Sequence, residues 1–169
     1  CDINRDNGSI NLENAWKLIT NKTKAIIPVH YAGDVGNLDY IYDFAKEFKL
    51  RVIEDAAHAF GSFYKGKKIG SFGDICCFSF DGIKNITSGE GGCVISSDKN
   101  IIEKIKDSRL LGVIKDSENR YLGQRSWEFN VSDQGWRYHM SNIMAAIGIE
   151  QLKRHNEFNR NVFLNFLLI

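Results

Sequence analysis

The chain is poor in proline, with only Pro28 in 169 residues, and no tract rich in proline, glycine or serine divides it. That composition excludes an extended or flexible linker between two domains. There is no C-x-x-C pair among Cys1, Cys76, Cys77 and Cys93, and the last three sit inside apolar runs. Zinc-ribbon spacing and a disulfide framework are therefore set aside, and no metal site is expected. The cysteines read as small buried hydrophobes in a reducing, cytoplasmic setting. Neither sign of charge dominates: 22 Lys and Arg against 21 Asp and Glu leave a net +1, which gives no footing for nucleic acid or an anionic membrane as partner. No apolar run reaches the ~18–20 residues of a membrane span, and the first residues lack the charged-then-apolar pattern of a secretory signal. No internal repeat is present. A G-x-G-x-x-G turn after a strand is also missing, which removes a Rossmann-type dinucleotide binder.

What is present is ordinary for a globular protein, with 43% hydrophobic and 25% charged residues, and the length suits about one domain. Both ends read as cut. The chain opens on "CDIN" and closes on the apolar "VFLNFLLI", so a single partial domain over 1–169 is expected.

The elements alternate. "NLENAWKLIT" places Leu12, Ala15, Trp16 and Ile19 at helical spacing behind Asn11 as N-cap. "KAIIPVH" reads as a short strand buried on both faces, its proline marking a sheet end. "NLDYIYDFAKEFKL" gathers Leu38, Ile41, Phe44, Ala45 and Phe48 on one helical face, and "RVIED" is another buried strand. Strand, helix and strand in about 30 residues make a βαβ crossover. Runs from Ile75 to Phe80 and from Cys93 to Ser97 add two strands, and "KNIIEKIKDSRLLG" a helix. Residues 113–134 are polar and aperiodic and read as a long surface loop. A long helix follows from Ser141 or Asn142. The class is α/β, with a mostly parallel sheet and helices on both faces.

In such sheets ligands gather beyond the carboxyl ends of the strands. Asp55 stands at one such end, where it either caps the following loop or meets a cation. Lys84 lies in a short polar loop between two strands. Loop lysines are ordinarily solvated charges, but this one follows Ser79 and precedes Asn85, Thr87, Ser88 and a glycine-rich turn whose amides suit an anion. A carboxylate, a serine and a lysine beside such a turn are what pyridoxal 5′-phosphate (PLP) requires: a Schiff-base lysine, a carboxylate on the pyridinium nitrogen and donors to the phosphate.

Four stretches, "AIIPVHYAG", "VIEDAAHAFGS", "CFSFDGIKNITSGEGG" and "YHMSNIMAAIGIEQL", resemble in content and order the DegT/DnrJ/StrS family of PLP-dependent sugar aminotransferases. The resemblance covers roughly residues 2–158. It implies part of the large domain of the aspartate aminotransferase-like fold, with the N-terminal segment and the C-terminal small domain absent, and a homodimer with sites at the subunit interface. Lys84 would form the Schiff base and then move the proton. Asp55 would bind the pyridinium nitrogen, His58 would lie against the ring or its phenolic oxygen, and Ser79 would donate to the phosphate. His58 also reads as a packed loop histidine. His30 is divided between packing and a substrate-side role, Glu90 between ordering the glycine turn and facing the site, and His155, among Lys153, Arg154 and Asn156, reads as solvated. Trp127, Phe129, Trp136 and Tyr138 suit core or interface before a stacking role.

The pattern departs from the family at "DGIK", where Asp81 replaces the usual histidine, and at "RYHM", where Arg137 and His139 stand in the family's "N-Y-R-M". The implied function moves an amino group, most often from glutamate, to a keto-deoxy sugar carried by a nucleoside diphosphate. A sugar dehydratase would carry histidine in place of Lys84. An inactive or merely dimerising remnant is the remaining alternative.

Overall fold

The structure, a computed structural model, describes residues 1–124, 129–131 and 133–166. These form two compact units, one of residues 1–95 with the chain from Asn142 onward, the other of 96–141. In the first unit α1 (Leu12–Leu18) starts at Asn11, whose side chain accepts the Asn14 N–H at 2.8 Å. α2 (Leu38–Glu47) starts in the same way at Asn37. Such caps satisfy amide donors that the first helical turn leaves without partners.

β1 (Ala25–Ile26) and β2 (Arg51–Asp55) pair in parallel, and β2 pairs in parallel with β5 (Ile75–Ser79). β6 (Gly92–Ser96) completes the order β1-β2-β5-β6. The expected βαβ crossover is thus formed, and α2 packs on β2. The core gathers Ile26, Leu38, Ile41, Ala45, Val52, Ala56, Ala59, Ile69, Cys76 and Phe78. Of the helical face foreseen on α2, Leu38, Ile41 and Ala45 are buried, while Phe44 and Phe48 pack ring against ring at 4.8 Å. Burying each large aliphatic side chain is worth about 1.5–3 kcal/mol.

A hairpin that the alternation of the sequence does not betray lies between β2 and β5. β3 (Phe63–Tyr64) pairs antiparallel with β4 (Lys67–Lys68). Its two-residue turn puts Lys65 at φ 48° and Gly66 at φ 78°, the doubly positive geometry that matches strand twist in tight hairpins. Strands of two residues are too short for a period-two signal. A cleft of about 330 Å³ between this hairpin and α2 is lined by Leu38, Tyr42, Tyr64, Lys65 and Phe72, with the Asp39–Lys65 ion pair beside it. Asp55, His58, Ser79 and Lys84 do not line it.

The second unit holds α3 (Lys99–Ser108), capped by Asp98, and α4 (Asp116–Tyr121), a short helix inside the 113–134 stretch. Antiparallel bridges join Leu110 to Arg137 and Val113 to Val131. α5 (Asn142–Phe166) returns the chain to the first unit as the long helix its periodicity predicts, and residues 167–169 lie outside the described residues. Among the described residues no helix is long and apolar enough to cross a membrane, and no group of three His, Cys, Asp or Glu side chains could hold a metal ion.

Candidate active site

Strand register decides which side chains share a face. Val29 stands opposite Asp55, and Asp55 opposite Cys77, in parallel register. Successive side chains on a strand alternate between faces, so Val29, Asp55 and Cys77 project to one side, joined by Ser79 two residues on. The ionisation of Cys77 agrees: burial pushes its thiol up, and the nearby Asp55 carboxylate pushes it further. On the opposite side Glu54 faces Cys76, whose thiol is pushed up to about 12 by burial first and the Glu54 charge second.

Asp55 closes β2. Its N–H donates to the Pro28 carbonyl and its own carbonyl accepts the His30 N–H, both at 2.9 Å. Its Oδ1 accepts the Ala57 N–H at 3.1 Å, which is the loop-capping role open from the sequence. Oδ2 has no hydrogen-bond partner among the described residues. Capping and ligand binding are thus compatible in one carboxylate, since each oxygen has its own lone pairs.

Beyond β5 the chain turns at once. Asp81 Oδ1 accepts the Ile83 N–H at 3.2 Å and the Asp81 carbonyl accepts the Lys84 N–H at 3.1 Å. Asp81 therefore builds the turn that presents Lys84. Lys84 is half-buried, and its amino group has no ion-pair or hydrogen-bond partner among the described residues. Asn85, next in sequence, anchors this loop to the one after β2, donating from Nδ2 to the carbonyls of His58 at 3.3 Å and Phe60 at 3.4 Å. The Ser79 hydroxyl accepts the Asp81 N–H at 3.3 Å and so keeps its own proton to donate. His58 is half-buried, its ring 6.1 Å from that of Tyr31. The sheet thus places Asp55 and Ser79 on one face, and loop anchoring brings the segments of Lys84 and His58 together.

Other expectations divide. Glu90 is exposed, and its carbonyl accepts the Ser88 hydroxyl at 2.6 Å, in keeping with ordering the turn. His30 is packed: 1% exposed, with Nε2 2.8 Å from Glu54 Oε2. His155 is not solvated but 7% exposed, edge-on to Phe60 at 5.0 Å. Its charged neighbours along the sequence occupy other faces of α5. Burial, and then the charge of Lys68, hold its imidazole below the usual value. Cys1 is exposed, unlike the three strand cysteines. Trp136 and Tyr138 lie parallel within 9° at 6.2 Å in the second unit, Phe129 is exposed, and Trp127 lies outside the described residues. No local motif marks Glu54 or Tyr42, although Glu54 shares its face of β2 with buried Val52.

The donor set fits PLP. A carboxylate oxygen and an amine without partners, and a hydroxyl with a proton to give, lie at the carboxyl ends of parallel strands. The Lys84 amine suits the aldehyde, the Asp55 carboxylate the ring nitrogen and the Ser79 hydroxyl the phosphate.

A model described as the DegT/DnrJ/EryC1/StrS aminotransferase family matches residues 1–162. MJ1066 of Methanocaldococcus jannaschii, an uncharacterized protein, is 50% identical over 153 residues, covering 90% of this chain and 40% of that protein. Helicobacter pylori PseC, an aminotransferase involved in the biosynthesis of pseudoaminic acid, superposes with a TM-score of 0.80 at 34% identity over 92% of this chain and 40% of its own. Spr1654 of Streptococcus pneumoniae, solved in a PLP-form and a PMP-form, superposes at TM-score 0.77 in both, with 30% and 32% identity, over 92% of this chain and 43% and 44% of its own. The chain spans about two fifths of the length of the curated relatives it matches.

Proposed function

The chain belongs to the DegT/DnrJ/EryC1/StrS aminotransferase family, and from that membership we propose that the whole protein is a PLP-dependent aminotransferase acting on a keto-deoxy sugar of a nucleoside diphosphate. The observation that carries the reading is Lys84: a half-buried lysine without a charge partner, held on an Asp81-built turn whose next residue is anchored to the His58 loop.

When bound, PLP supplies an electron sink for the carbanion that forms next to the transferred nitrogen. This chain's residues do the rest. Lys84 Nζ would hold the cofactor through its aldehyde carbon and, when not so engaged, would supply the base that moves a proton between carbons. The Asp55 carboxylate would hold a proton on the ring nitrogen and so keep the sink effective. Ser79 would donate to the phosphate, and His58 would lie against the ring. Glutamate is the donor in the first half-reaction and the ketosugar takes the nitrogen in the second. Lys84 argues against sugar dehydration, because the dehydratases that resemble this chain would carry histidine at that position. The protein works as a cytoplasmic homodimer in amino-sugar or surface-polysaccharide biosynthesis.

The test is chemical trapping. The protein is mixed with PLP, reduced with borohydride and mapped by mass spectrometry. A single pyridoxyl adduct on Lys84 is expected. Adducts scattered over surface lysines, or none, would overturn the assignment and leave an inactive remnant as the reading.

A further inference from the structure

Behind Asp55, on the other side of β2, lies a buried polar cluster that the chemistry above does not use. Glu54 and His30 are each 1% exposed. Glu54 Oε2 lies 2.8 Å from His30 Nε2, and Glu54 Oε1 accepts the Tyr42 hydroxyl at 2.6 Å. The Tyr42 oxygen in turn accepts the Asp74 N–H at 3.0 Å. Burial raises the Tyr42 phenol above its usual value and the hydrogen bond to Glu54 raises it further, so it stays protonated as a donor. Replacing a buried polar cluster of this kind by apolar side chains is often neutral or stabilising. Stability alone therefore gives no reason for a carboxylate here.

The two arms of the cluster lead to different places. The Tyr42 arm ties Glu54 to α2 and to the turn before β5. The His30 arm crosses from the end of β1 to β2, where the backbone is already shared with Asp55: His30 N–H to the Asp55 carbonyl, and Asp55 N–H to the Pro28 carbonyl, both at 2.9 Å. Asp55 is thus held on both sides of its peptide by a segment whose imidazole is clamped to the adjacent Glu54. A slip of the Pro28–His30 segment would tilt both hydrogen bonds and turn the Asp55 carboxylate on its face of the sheet.

We infer that His30 and Glu54 are positioning residues for Asp55, fixing from the far side of the sheet the carboxylate that meets the cofactor's ring nitrogen. The inference rests on the assignment of Asp55 made above and adds the device that aims it.

The experiment compares His30→Leu, His30→Gln and Tyr42→Phe in the full-length, PLP-loaded protein. Three quantities are read: the dissociation constant for PLP, the pH at which the visible band of the bound cofactor titrates, and the thermal midpoint. His30→Leu is expected to weaken PLP about tenfold and to move the band titration by about one pH unit, equivalent to one tenfold change in the relevant equilibrium. His30→Gln keeps a donor toward Glu54 and restores most of both. Tyr42→Phe lowers the thermal midpoint and leaves both cofactor readouts in place. If His30→Leu leaves the readouts at wild-type values, or if Tyr42→Phe moves them as far, the cluster is structural and the inference falls. Should His30→Leu not fold, His30→Met fills similar volume without a ring donor and takes its place. Wild-type readouts in Asp55→Asn would instead remove the Asp55 assignment itself.

Discussion

His155 stands where Gly61 has no side chain: a Cβ on Gly61 would lie 2.5 Å from His155 Nε2. The contact seats α5 on the loop that follows Asp55 and carries His58. It also fixes Gly61 as glycine twice over, because its φ is +87°, a region where a Cβ is strained.

Gly61→Ala is therefore expected to destabilise the protein by about 1–3 kcal/mol, from left-handed strain together with overpacking. Denaturant midpoints at unchanged m-value would report it. A midpoint equal to wild type would show that α5 is not seated on this loop.

The same histidine gives stability a pH dependence. Burial favours the neutral imidazole in the folded chain, so its value there lies below the usual 6.5. Near and below that pH the unfolded chain binds the proton more readily than the folded one. The contribution of His155 is then complete above about pH 6.5, the unfolded value, and is lost as pH falls through the lower folded value. Unfolding free energies from pH 7.5 to 4.5 should show this slope in wild type and a shallower one in His155→Gln. Equal slopes would remove the assignment.

Lys84→Ala should retain the fold, because the amino group holds no partner in it, and lose transamination by at least the ~10²–10⁴-fold typical of removing a general base. Asp55→Asn should leave residual PLP binding with a severe loss of rate. Circular dichroism and turnover of the whole protein decide both, and wild-type turnover in either variant removes that residue from the site.

Thiol chemistry should separate the cysteines by depth. Cys1 is exposed, whereas burial raises the thiols of Cys76, Cys77 and Cys93. Because the thiolate is the reactive form, iodoacetamide at pH 8 should label Cys1 first and the other three only under denaturant. Labelling of Cys77 as fast as Cys1 in the native protein would contradict its half-buried place beside Asp55 in the sheet.

The sequence by itself determined the longer helices and the parallel strands. Helical spacing located α1, α2, α3 and α5, Asn11 declared itself as a cap, and the alternation from "KAIIPVH" to "RVIED" required a parallel pair. Lys84 was conspicuous as an amine between two apolar runs. These are local signals, set by 3.6- and 2-residue periodicity and by side chains acting on their own backbone. Tertiary structure alone decided which of two adjacent acids turns inward. Glu54 and Asp55 differ by one methylene in neighbouring positions, and only the register with β1 and β5 sends one to His30 and Tyr42 and leaves the other an oxygen free. Tertiary structure likewise buried His155 against Phe60 and folded the β3–β4 hairpin. In each case the stabilising partner lies far along the chain or the segment is too short for a period to show. Burial and hydrogen bonding depend on what the folded chain brings alongside, and local pattern carries no record of it.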